Sequence, residues 1–182
     1  MKSKPAGVAS YYDGWRFTND RLIQTVGALS TEQLGLAAAP NLWPIWATAA
    51  HIAGARVYWL CRIFKEPGAE HTPWADPASD GWEDDLSHPR GPDELVGALE
   101  STWTIVEGCL ERWTPAMLQD EFHRELGGKI QIHTRQSVLY RILTHDAEHC
   151  GEISLTLGMH GLPGVDLWTG RAPTVLGRPD LP

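Results

Sequence analysis

His145 and His149 stand four residues apart in a stretch with a helical pattern, and Glu152 follows three residues after the second. At about 100° per residue, Val138, Ile142, His145, His149, Glu152 and Thr156 share one stripe of that helix. Two imidazoles at i and i+4 can converge on one divalent ion, as helical His pairs do when they hold zinc. Polar groups left unpaired in a core are costly. A His pair in register on a core-facing stripe therefore calls for a metal ion, a buried polar network or a position at the surface. His51 is the natural third ligand: it lies among Ala47, Ala49, Ala50, Ala53, Gly54 and Ala55, which leave space for a close neighbouring helix. The other histidines are poorer candidates. His71 and His88 fall in a long connector, His123 and His133 in a hairpin, and His160 beyond a helix end.

Three neutral imidazoles leave a divalent ion with open positions, the mark of a catalytic rather than a closed structural site. Such an ion lowers the pKa of bound water to about 7 and favours thiolate over thiol more strongly still.

Four long helices must position these residues. The first is expected from about Val8 to Leu29, with Tyr12, Trp15, Leu22, Val26 and Leu29 on one face. Ser30-Thr31-Glu32-Gln33 reads as a cap opening a short turn. The second helix opens with Pro44 at its first position and runs to about Lys65, before Pro67-Gly68 ends it. A connector, Glu66 to Gly91, follows; connectors of this length are usually functional or crossovers, and Trp74 and Trp82 suit it to cover the mouth of the site. The third helix opens at Pro92, with Asp93 and Glu94 near its positive end, and runs to about Trp113. Phe122–Leu126 and Lys129–His133 flank Gly127-Gly128, a hairpin signal. A lone hairpin is marginal in water, so it must lean on the helices. Thr134 caps the fourth helix, which runs to about Leu157 and ends near Gly158. The expected fold is all-α, a four-helix bundle of up-down-down-up order with a small β-hairpin before the last helix. Residues 1–163 form the bundle domain, and 164–182 a Pro/Gly-rich C-terminal arm or tail.

Composition narrows the function. Net charge is −8 with no block of Lys or Arg longer than two residues, so the footprint that nucleic acid needs is missing. No run approaches the length of a membrane span and no signal core follows the N-terminus, which makes cytoplasm the expected location. Cys61, Cys109 and Cys150 are odd in number and far apart, so they read as buried free thiols of a reducing compartment. Nine Trp suit a packed bundle or a binding surface, core filling being the commoner use.

Two stretches carry a resemblance. Trp46-Ala47-Thr48-Ala49-Ala50-His51-Ile52-Ala53-Gly54-Ala55 and Leu143-Thr144-His145-Asp146-Ala147-Glu148-His149-Cys150-Gly151-Glu152-Ile153 look like the signature helices of the DinB/YfiT-like superfamily. The resemblance spans roughly Val8 to Pro163. It implies an up-down-down-up bundle, often a homodimer, whose His triad maps to His51, His145 and His149 and binds nickel or zinc. The superfamily includes thiol-dependent transferases and isomerases that use a low-molecular-weight thiol as cosubstrate. One departure is Glu152, where the family commonly has Gln: its carboxylate is open to three roles, a fourth ligand, a general base or a partner for Arg141. The expected function is a metal-dependent enzyme acting on a small-molecule substrate, a thiol-dependent transferase or a hydrolase. A non-catalytic metal- or ligand-binding bundle is the alternative, and a structural bundle without metal the third reading.

Overall fold

The computed structural model describes residues 7–72 and 85–171. A short 3-10 turn, Ala9–Tyr11, leads into α1 (Asp13–Ala28). The one-turn α2 (Thr31–Leu34) starts in a complete capping box: the Ser30 hydroxyl accepts from the Gln33 backbone and the Gln33 side chain accepts from the Ser30 backbone. Next comes α3 (Ile45–Val57), with Pro44 as its N-cap rather than its first helical residue. The helix does not stop at Val57 but widens into a π-helical turn, Tyr58–Ile63. After the connector comes α4 (Pro92–Arg112), with Pro92 in its first turn. Strands β1 (Glu121–Leu126) and β2 (Lys129–Thr134) pair antiparallel, Phe122 opposite His133 and Leu126 opposite Lys129. Their turn needs positive φ at two successive residues, which Gly127 (57°) and Gly128 (72°) supply. Thr134 and Ser137 then cap α5 (Arg135–Met159). Trp74 and Trp82, expected to cover the site, lie outside the described residues. Among those residues no helix is long and apolar enough to cross a membrane.

Helix α3 packs against both α4 and α5, and α1 packs against α4 and α5. The hairpin leans on the bundle, as a lone hairpin must. Phe122 stacks 4.1 Å from Phe64, and the Arg135 guanidinium sits 4.7 Å from the Phe122 ring and 5.0 Å from Trp113. The start of the C-terminal segment also packs: Val165 is buried and its N–H donates to Ser154 Oγ at 3.0 Å.

The core falls into two apolar halves. One is built around Leu22, Ile52, Leu99 and Ile153, the other around Trp15, Trp59, Trp103 and Ile142. Between them lies a buried polar layer to which all four long helices contribute. Arg56 of α3 is 0% exposed and Asp146 of α5 is 1% exposed. Arg56 Nε and Nη2 donate to Asp146 Oδ2 at 3.1 and 2.7 Å, and Trp15 Nε1 of α1 donates to the same oxygen at 2.7 Å. Arg56 Nη1 donates to Asn19 Oδ1 at 2.9 Å and to the Leu99 carbonyl of α4 at 3.4 Å. The Trp103 ring faces the guanidinium at 5.7 Å.

A buried ion pair gains little over a well-packed apolar replacement, because both charges lose water. Removing one partner strands the other and costs about 3–5 kcal/mol. Arg56→Met is therefore expected to destabilise the fold by about that much in urea denaturation. The combined Arg56→Met and Asp146→Leu chain should recover most of the loss. An Arg56→Met protein that unfolds at the unaltered midpoint would show that the layer does not hold the bundle.

Candidate metal centre

His51 projects from α3, and His145 and His149 from successive turns of α5. All three are half-buried, and one ligand nitrogen from each lies within 4.8 Å of the others. His145 Nε2 is 2.8 Å from His51 Nε2 and 3.2 Å from His149 Nε2. Ligand atoms around a tetrahedral ion with bonds of about 2.0–2.1 Å lie roughly 3.3–3.4 Å apart, so the His145–His149 spacing already has the scale of a coordination shell. The small residues of α3 allow this approach: Ala47, Ala50 and Ala55 are buried beside His51 and hold no side chain that would keep α5 away. Trp43 closes one side, its ring 5.2 Å from that of His51.

Glu152 does not point among these nitrogens. Its Oε2 is 2.6 Å from His149 Nδ1, on the far side of that ring from Nε2. A carboxylate on Nδ1 keeps the proton there and turns the Nε2 lone pair inward, the outer-sphere arrangement that metal-bound histidines commonly show. Arg141 lies elsewhere, its guanidinium 4.8 Å above the Trp59 ring. His145 has no such outer partner: its Nδ1 is buried and accepts or donates no hydrogen bond among the described residues.

His145 stays neutral. Burial first, then the neighbouring His149 and His51, then Arg56 and Arg141, push its pKa down from 6.5 to about 3. A neutral imidazole is the ligating form. Three imidazole nitrogens from two helices converge within 4.8 Å of one another, and borderline-soft divalent ions take such nitrogen donors, so the donor set fits a divalent metal.

Two cavities flank the cluster. A cavity of about 770 Å³ is walled by the π-turn, the hairpin and α5, and His51 and His145 reach it. A second, of about 420 Å³, lies against Trp43, Leu42 and Leu155 and is reached by His149 and Glu152.

The family model of the DinB superfamily matches residues 15–153. The chain belongs to the DinB superfamily. A crystal structure of a DinB-like protein from Bacillus cereus shares its fold, with a TM-score of 0.65 at 16% identity over 90% of this chain and 100% of that one. No curated protein matches this DinB-superfamily chain.

The structure thus gathers His51, His145 and His149 and sets Glu152 one atom shell further out, while His71, His88 and His160 stand apart from the cluster. His123 lines the larger cavity. The sequence reading passed over the Arg56–Asp146 pair and Trp59. Signals for the pair were present: Arg56 is the one charged residue of α3, and Asp146 stands four residues after Ile142 and four before Cys150. The fully buried stripe of α5 is Leu139, Ile142, Asp146, Cys150, Ile153 and Leu157, so the His stripe sits at the edge of the core rather than in its middle.

Because the unfolded chain takes a proton on His145 near pH 6.5 that the folded chain refuses until about pH 3, stability is present above pH 6.5 and is lost as pH falls through that interval. The urea midpoint of metal-free protein should therefore drop between pH 7.5 and pH 5, and drop less in His145→Asn. Equal drops in the two proteins would contradict a neutral His145.

Proposed function

We propose that this DinB-superfamily chain is a cytoplasmic, homodimeric, metal-dependent transferase whose helices run up-down-down-up, with residues 1–163 as its bundle domain. His51, His145 and His149 would hold a divalent ion, nickel or zinc, through their Nε2 atoms. The observation that carries this reading is the convergence of the three nitrogens between two separate cavities. When bound, the ion supplies Lewis-acid chemistry that favours the conjugate base of a thiol or of water at neutral pH.

The flanking residues then divide the work. The larger cavity admits one molecule to His51 and His145, and the smaller, more apolar one admits a second to the side of His149. Two entrances suit a reaction between two organic substrates, which favours transfer over hydrolysis. A low-molecular-weight thiol, the cosubstrate that the family resemblance implies, must come from outside. Burial pushes the Cys61 thiol up to about 11 and those of Cys109 and Cys150 up to about 12, so none is a thiolate at neutral pH. Glu152 acts as a positioning residue, holding the His149 proton on Nδ1.

Protein purified without a nickel column should carry close to one divalent ion per chain, and the His145→Ala/His149→Ala protein should carry none. Full metal content in that double variant would sink the ligand assignment. Metal-loaded protein should then accelerate the reaction of a thiol such as N-acetylcysteine with an alkylating electrophile over the metal-free control. Binding without acceleration would leave the chain a non-catalytic metal protein.

Glu152→Ala should weaken metal affinity about 10–100-fold, as losing an outer-sphere partner typically does. Glu152→Gln, which still offers an acceptor to Nδ1, should lose much less. A Glu152→Gln chain that keeps its metal but loses about a hundredfold in rate would instead make the carboxylate a general base.

A further inference from the structure

The chain is acidic overall, yet its larger cavity is not. Arg62, Lys65, Arg124 and Arg141 line it against Glu125 alone among Asp and Glu. Arg124 and Arg141 are held in an uncommon way. The Arg124 guanidinium lies 5.1 Å from both the Tyr58 and the Trp59 rings, and Arg141 lies 4.8 Å from Trp59. Stacking on ring faces fixes a guanidinium plane while leaving its edge N–H groups for an oxyanion. Neither side chain pairs with a carboxylate among the described residues, and Arg124 Nε is buried without a hydrogen bond. The π-turn produces this wall, since it brings Tyr58, Trp59 and Arg62 round to the hairpin and α5. The same positive field acts on His133, whose pKa is lowered by burial and then by Arg141 and Arg124.

We infer that the larger cavity is a subsite for a small organic molecule bearing an oxyanion, carboxylate or phosphate, gripped by Arg124 and Arg141. Arg141 precedes His145 by one helical turn, a rise of about 6 Å. An oxyanion on Arg141 therefore leaves the far end of its carrier within reach of the imidazole cluster. The volume of about 770 Å³ accommodates a ring-sized body beside that group. The subsite rests on the proposed function only in assigning the carrier's far end to the metal centre; the grip itself needs no metal.

Calorimetric titration of the full chain, metal-free and metal-loaded, with benzoate, phenyl phosphate, inorganic phosphate and the neutral benzamide tests this. At least one of the two aromatic anions should bind about tenfold or more tightly than benzamide in both metal states, as expected for charge-assisted hydrogen bonds. Arg124→Gln and Arg141→Gln should each erode that preference severalfold, and the double variant should abolish it while keeping its helical circular dichroism. His149→Ala should keep the preference, which separates failure of the metal reading from failure of the subsite. Equal binding of benzamide and both anions, or a preference that survives the double variant, overturns the proposal. A preference seen only with metal also overturns it, since the oxyanion is then a metal ligand. Inorganic phosphate bound as tightly as phenyl phosphate overturns the organic carrier.

Discussion

Arg56 and Asp146 meet in the middle of the bundle with essentially no exposure, and their hydrogen bonds of 2.7 and 3.1 Å join α3 to α5 at one level. That level sets everything around it. His51 precedes Arg56 by five residues on α3, and His145 is the immediate neighbour of Asp146 on α5. A slide of one helix past the other by a single turn, about 5.4 Å, would break the pair and separate the imidazoles together. Apolar side chains alone tolerate such slides, because Leu and Ile contacts are non-directional. A directional buried pair does not, since any other register leaves two charges unsatisfied in low dielectric. Trp15, Asn19 and the Leu99 carbonyl extend the same constraint to α1 and α4, so one polar layer indexes four helices.

The layer also shapes the chemistry beside it. Arg56 is among the charges that keep His145 unprotonated, and Arg141 adds to it from the cavity side. Cationic surroundings oppose a proton on an imidazole, and they oppose a bound metal dication as well. The His149–Glu152 contact works in the other direction, placing negative charge behind one ligand. The centre is thus poised between a cationic wall towards the larger cavity and a carboxylate towards the smaller one. Positive potential therefore faces the larger cavity and negative potential the smaller.

The histidines were legible because the two periods that matter coincide there: i, i+4 spacing on α5 and a run of small residues on α3. The hairpin was legible from Gly127-Gly128, and the helix starts from Ser30, Pro92 and Thr134, since each demands a specific backbone state. The polar layer was not, although Arg56 and Asp146 stand in plain apolar company. A charge on a core stripe reads as an error in the stripe unless its partner is known, and that partner lies 90 residues away. The His-bearing stripe was accordingly placed one residue too close to the core's centre. The π-turn was hidden for a different reason. Its residues, Tyr58 to Ile63, have ordinary helical propensity, and what marks the turn is a long-range contact, the hairpin's His133 and Phe122 packing against Trp59 and Phe64.

The carboxylate of Glu152, at a position where the family resemblance leads to the expectation of Gln, has a physical meaning in this setting. Both side chains offer an oxygen to His149 Nδ1–H, so both hold the tautomer that turns Nε2 inward. Only the carboxylate adds charge, and charge behind an imidazole makes it a stronger donor. With the Glu152 side chain 56% exposed against 15% for His149, water weakens that effect without abolishing it. A stronger donor binds a metal more firmly and also drains its Lewis acidity, leaving a weaker activator of whatever takes the open positions. The cationic wall of Arg124 and Arg141 acts in the opposite sense, since positive charge beside the imidazoles would favour anionic over neutral groups at an ion they held. Glu152 and the arginines therefore form one electrostatic setting, in which a change on either side would shift the grip on an ion held by the three imidazoles and that ion's Lewis acidity in opposite directions.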